Sequence, residues 1–146
     1  MKRAVFLPFL FISFNVCAQQ TVIAVDEKLS FVGMTLADVI ERFGAPEIVS
    51  SVRGSELWQD DVIFQYSEGD FYIYRDRVWQ VRLSSAYGVS ARDRKAAVLL
   101  ILGNTAEDKG SYVLFPVSGG DWPLMLRVNF NNSGLVSEIY IYRPDF

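Results

Sequence analysis

GMTLADVIERFG at residues 33–44 and GVSARDRKAAVLLILG at residues 88–103 are the stretches on which a reading of this fold turns. Each opens with glycine, an apolar residue and a hydroxyl residue, carries aspartate three positions after the hydroxyl, and closes with glycine. Thr35 and Ser90 read as helix N-caps that accept a backbone N–H. Asp38 and Asp93 then fall at the third helical position, where a carboxylate reaches back to the cap and favours the positive helix end. Met34 just before the first cap and Val39 four positions inside it form a hydrophobic staple. Gly44 and Gly103 supply the left-handed residue that stops a helix.

The first helix carries Leu36, Val39, Ile40 and Phe43 in an i, i+3, i+4, i+7 stripe. The second reads as one turn longer and apolar nearly all round from Ala96 to Leu102. That predicts either deeper burial or pairing with another chain. Strands are expected after each helix: 47–52, 61–66, 70–74 and 78–83, then 111–117, 124–130 and 135–142. Turn signals separate them, including Ser67-Glu68-Gly69, Arg75-Asp76 and Asn131-Asn132-Ser133-Gly134. The expected fold is therefore α+β: two tandem helix-plus-antiparallel-meander repeats, 33–87 and 88–146, sharing a curved sheet with the helices on one face.

The first twenty residues, MKRAVFLPFLFISFNVCAQQ, differ from the rest of the 146-residue chain. A basic start, a short apolar run and Val16-Cys17-Ala18 read as a signal peptide of residues 1–18 cleaved after Ala18. The run is shorter than the roughly 20 residues that span a bilayer. Phe14 and Val16 stand where a lipidation motif wants an aliphatic and a small residue, so Cys17 reads as part of the leader. Residues 19–32 form an N-terminal segment, in which Thr21–Val25 is apolar enough for a strand. The expected location is the periplasm or the outer-membrane periphery.

Loss of the leader removes the single cysteine, Lys2 and Arg3, leaving 12 basic against 17 acidic side chains. The mature chain can form no disulfide and must rely on its core. Its negative charge and scattered basic residues make nucleic acid a poor partner. The sequence also contains no histidine. Ser-His-Asp and Cys-His catalysis are therefore impossible, and the usual transition-metal ligands are missing. No metal or cofactor is expected. Asp60-Asp61 and Glu107-Asp108 remain as carboxylate pairs, but neighbours on an extended segment point to opposite sides.

Strand alternation points elsewhere. Leu126, Val128, Phe130, Leu135, Ile139 and Ile141 read as one inner face, and so do Phe71 and Ile73. Tyr72, Tyr74, Tyr140 and Tyr142 then turn to the opposite face, with Arg77, Gln80, Arg82 and Arg127 as polar neighbours. Tyrosine and arginine concentrate in interface hot spots, and Trp58 and Trp122 flank turns as candidate rim anchors. Cross-strand tyrosines also stabilise a sheet without any ligand. Trp79 alternates with Val81 and Leu83 and reads as core.

Gly33-Met34-Thr35, Phe43-Gly44-Ala45-Pro46, Trp58 and Val78-Trp79-Gln80-Val81 together resemble the SmpA/OmlA (BamE-like) family of outer-membrane assembly lipoproteins. The tandem arrangement resembles that of β-lactamase inhibitor proteins, in which two such repeats share one curved sheet. The chain departs from the first in lacking a lipobox, and from the second in lacking disulfides. The resemblance implies an exported, non-enzymatic module that binds an envelope or secreted protein, as a scaffold or as an inhibitor. Membrane contact would be indirect unless Cys17 is lipidated. Two other readings stay open: a small carboxylate-dependent hydrolase, and a small-ligand or lipid carrier.

Overall fold

A computed structural model of the chain describes residues 27–53 and 61–146. The leader, its cleavage site, Cys17, the 21–25 segment, Asp60 and Trp58 lie outside the described residues. Among the described residues there are ten strands: β1 (Ile48–Val52), β2 (Asp61–Tyr66), β3 (Gly69–Tyr74), β4 (Arg77–Leu83), β5 (Ser85–Ala86), β6 (Val89–Ser90), β7 (Glu107–Asp108), β8 (Tyr112–Val117), β9 (Leu124–Phe130) and β10 (Val136–Tyr142). Helix α1 runs Leu36–Phe43 and α2 runs Lys95–Leu102, each only eight residues long.

Eight of the strands form one antiparallel sheet in the order β1-β2-β3-β4-β10-β9-β8-β7. The expected layout of two helix-plus-meander repeats with helices on one face is corrected by this arrangement. Strand is the main secondary structure among the described residues, and β4 hydrogen-bonds directly to β10, so the backbone ladder runs unbroken from β1 to β7. The helices are minor elements. Only Val39, Val98 and Leu102 among their residues are buried, while the strands supply most of the core.

Inner-face residues line up rung by rung across the ladder. Phe64, Phe71, Val81, Ile141, Leu126 and Phe115 are successive cross-strand partners, as are Leu83, Ile139, Val128 and Val113. Phe71, Val81, Ile141, Leu126, Val128 and Val113 are fully buried. A short 3-10 helix, Glu27–Phe31, adds Leu29 and Phe31 to that core, and Val32 just after it is buried too. Phe31 lies 5.3 Å from Phe43 and 5.5 Å from Phe71, inside an aromatic cluster completed by Tyr66.

The two helix starts differ although their sequences look alike. Thr35 Oγ1 accepts from the Asp38 N–H at 3.1 Å, and the Asp38 carboxylate accepts from the Thr35 N–H at 2.8 Å. That is a complete capping box. At the second site Asp93 again accepts from the Ser90 N–H, at 2.7 Å, but no helix follows. Ser90 instead ends the β5–β6 hairpin, Arg92 has φ +73°, and α2 begins only at Lys95 with no side-chain cap. The late start makes α2 no longer than α1. Its apolar sequence is not buried all round: Leu100 is 85% exposed. Replacing Thr35 with alanine should therefore cost about 1 kcal/mol of stability. Ser90→Ala should stay within roughly 0.5 kcal/mol. Urea unfolding of both variants checks this, and equal losses would contradict the assignment.

Candidate functional site

The pleat that sends Phe71, Val81 and Ile141 inward sends their neighbours to the other side of the sheet. Two outer rungs result. One runs Ile63, Tyr72, Gln80, Tyr142 and Met125; the other runs Gln65, Asp70, Arg82, Tyr140 and Arg127. Tyr72 and Tyr140 meet edge to face with ring centroids 6.3 Å apart. All four tyrosines on this face are half-buried, so each keeps part of its ring open to solvent.

A β-bulge changes the neighbourhood of Tyr74. Tyr72 lies opposite Gln80 and Ile73 lies opposite Val78, which leaves Trp79 with no partner across the ladder. Two residues on one strand then face one on the other, and the strict alternation breaks. Val78 and Val81 both point inward and are fully buried. Trp79, expected in the core, is instead half-buried on the outer face. There it stacks on Phe146 at 6.3 Å with a 7° interplanar angle, and Phe146 also meets Tyr74 edge-on at 5.7 Å. The Trp79 indole N–H donates to Asp61 Oδ1 at 2.9 Å. Asp61 is the one buried charged residue among the described residues, and it positions this ring.

The predicted arginines are engaged within the molecule. Arg82 pairs with Asp70 and lies 3.7 Å from Glu138. Asn129 donates to Glu138 at 3.1 Å and accepts from Arg127 Nε at 2.8 Å. The Arg127 guanidinium then sits 4.3 Å over the Tyr112 ring. This continuous polar chain fixes the plane on which the tyrosines stand. Trp122 is 42% exposed and packs close to Gly33, where a Cβ would approach its indole nitrogen to 2.5 Å. Arg143 lies 4.0 Å above the Trp122 ring and pairs with Asp145. Trp122 thus sits beside the Arg143–Phe146 tail, whereas Trp58 lies outside the described residues. Arg77, directly opposite Tyr74 in the β3–β4 ladder, donates to the Gly33 carbonyl at 2.9 Å.

The carboxylates considered for chemistry are dispersed. Glu107 pairs with Lys109 and Asp108 with Lys95, and these hydrogen bonds hold both carboxyls below their usual range. No group of three metal-capable side chains occurs among the described residues. The outer face offers flat aromatic rings and hydroxyl donors on a rigid sheet, a surface suited to contact.

Compared with known protein families and with curated proteins, the sequence matches none. Among solved structures it is similar to an extracellular protein containing a SCP domain from Bacillus anthracis str. Ames, at 9% identity and a TM-score of 0.51. The match covers 97% of this chain and 51% of the other, so the chain spans about half the length of that protein. The likeness is one of fold.

Burial pushes the Tyr140 phenol well above the ordinary tyrosine range, and the neighbouring Tyr72 phenol and Glu138 carboxylate add to the shift. Burial likewise raises Tyr72, with Arg82 opposing. An unfolded tyrosine ionises near pH ~10, while the folded chain keeps these protons. The unfolded state binds fewer protons there, so stability is intact below about pH 10 and falls as pH rises beyond it. Urea midpoints of the native chain should drop more between pH 8 and pH 11 than those of Tyr140→Phe. Equal drops would contradict the placement of Tyr140.

Proposed function

We propose that this chain is an exported, non-catalytic module that binds an envelope or secreted protein through the aromatic outer face of its sheet. The observation that carries the reading is the row of Tyr72, Tyr140, Tyr142, Tyr74 and Trp79, held half-open above a polar chain in which Arg82 is ion-paired and Arg127 hydrogen-bonded. Aromatic rings of this kind bury much area for little conformational entropy, and their hydroxyl and indole edges tolerate both water and burial. A partner covering the face need not leave Arg82 or Arg127 unpaired, because both have partners within the chain. Desolvation of an isolated buried charge, the usual penalty in such a contact, is reduced.

Export rests on the leader-like residues 1–18, and the extracellular solved structure of similar fold agrees with it. The family resemblance to envelope assembly factors and to inhibitor proteins favours the same class, a protein that acts by contact. A scaffold and an inhibitor differ in what they hold. The first accompanies membrane proteins, the second grips a soluble enzyme.

Affinity capture from envelope extract tests the proposal, using the native chain beside a Tyr72→Ser/Tyr74→Ser/Tyr140→Ser/Tyr142→Ser variant whose fold is verified by circular dichroism. Recovery of a specific partner should fall at least about tenfold in the folded variant, the loss of one or more hot-spot side chains. Undiminished recovery of the same partner by the variant would remove the tyrosine face from the account.

A further inference from the structure

The two edges of the sheet are built differently. At one edge β7 is only two residues, both acidic and both ion-paired, and the adjoining part of β8 carries Pro116. Short length, charge and proline are the devices that keep an edge from pairing with another chain. At the other edge β1 has the sequence Ile48-Val49-Ser50-Ser51-Val52, with no charge and no proline. All five residues are exposed, and among the described residues β1 pairs with β2 alone. Alternate N–H and C=O groups of such a strand point away from its partner, ready for a further strand.

We infer that this edge is a self-association surface, on which a second copy of the chain adds its own β1 in antiparallel pairing about a two-fold axis at Ser50. The flanking charges select that occupant and that register. With Ser50 opposite Ser50 of the second copy, Ile48 faces Val52 and Val49 faces Ser51. Glu47 then lies opposite Arg53, twice over by symmetry; both residues are exposed, and Arg53 keeps its contact within its own chain beside the new one. An isologous contact must be complementary to itself. A strand reading acid, five neutral residues, base meets that condition in the antiparallel sense, whereas parallel pairing would set like charges side by side. The exposed Ile48, Val49 and Val52 would be covered in the same step, and the ladder would run continuously through both copies. This surface lies at the sheet edge and uses none of the four tyrosines.

Sedimentation equilibrium of the purified full chain tests the inference. The native chain should show a reversible monomer–dimer equilibrium that weakens with salt. Glu47→Arg, and separately Arg53→Glu, should each raise the dimer dissociation constant about tenfold, since two exposed pairs turn from attractive to repulsive. The double variant Glu47→Arg/Arg53→Glu should restore association to near the native value. In a Cys17→Ser background, Ser50→Cys should cross-link two copies on oxidation, because directly opposite residues lie about 4.5–5.5 Å apart at Cα, within disulfide reach. Ser51→Cys, displaced by two residues from its own copy, should not. A native chain monomeric at every concentration, a double variant as weak as either single change, or no cross-link at Ser50 would each overturn the inference.

Discussion

Everything else in this molecule hangs on the pairing of β4 with β10. Four residues of each strand are in register, Leu83 with Ile139, Arg82 with Tyr140, Val81 with Ile141 and Gln80 with Tyr142. That short ladder converts two meanders distant in sequence into one sheet. It also brings Val81 and Ile141 together inside, where both are fully buried. A slip of one residue would invert every side chain of β10 relative to β4, exposing Ile139 and Ile141 and burying Tyr140. The hydrophobic pattern therefore fixes the register, and the register in turn places Tyr140 beside Tyr72 and Arg82 within reach of Glu138.

Strand positions were legible because alternation is a local property. Asp61–Tyr66 and Leu124–Phe130 fall where the sequence places them, and Phe71, Leu126 and Ile141 are core as read. Architecture was less legible. Two glycine-bounded stretches of similar sequence suggested two matching helical repeats, yet the Asp93–Ser90 hydrogen bond serves a turn and Arg92 adopts a left-handed conformation before α2 can start. Capping chemistry is shared by helices and turns, so the motif alone could not separate them. The helices are consequently too short to define the fold, and the strand ladder defines it instead.

Trp79 shows the same limit within the candidate site. Period-two reading put it with Val81 and Leu83, but the bulge opposite Tyr72 and Ile73 shifts the phase. Two valines, Val78 and Val81, lie three apart and both face inward. That spacing, inconsistent with an unbroken strand, is the signal that could have revealed the bulge. The tyrosines were legible from alternation. The internal engagement of Arg82 and Arg127 was not, since it depends on Asp70, Glu138 and Asn129 arriving from other strands. Those contacts recast the arginines as supports of an aromatic surface.

Native-state hydrogen exchange followed residue by residue measures the unity of the sheet directly. Cooperative units of a fold open together and reveal their own free energies. The amides of Gln80–Leu83 and Ile139–Tyr142 engaged in the β4–β10 ladder should share the slowest class, with one opening free energy equal to that of global unfolding. Two separate classes, with β2–β4 opening independently of β8–β10, would show two weakly joined units and contradict the continuous sheet.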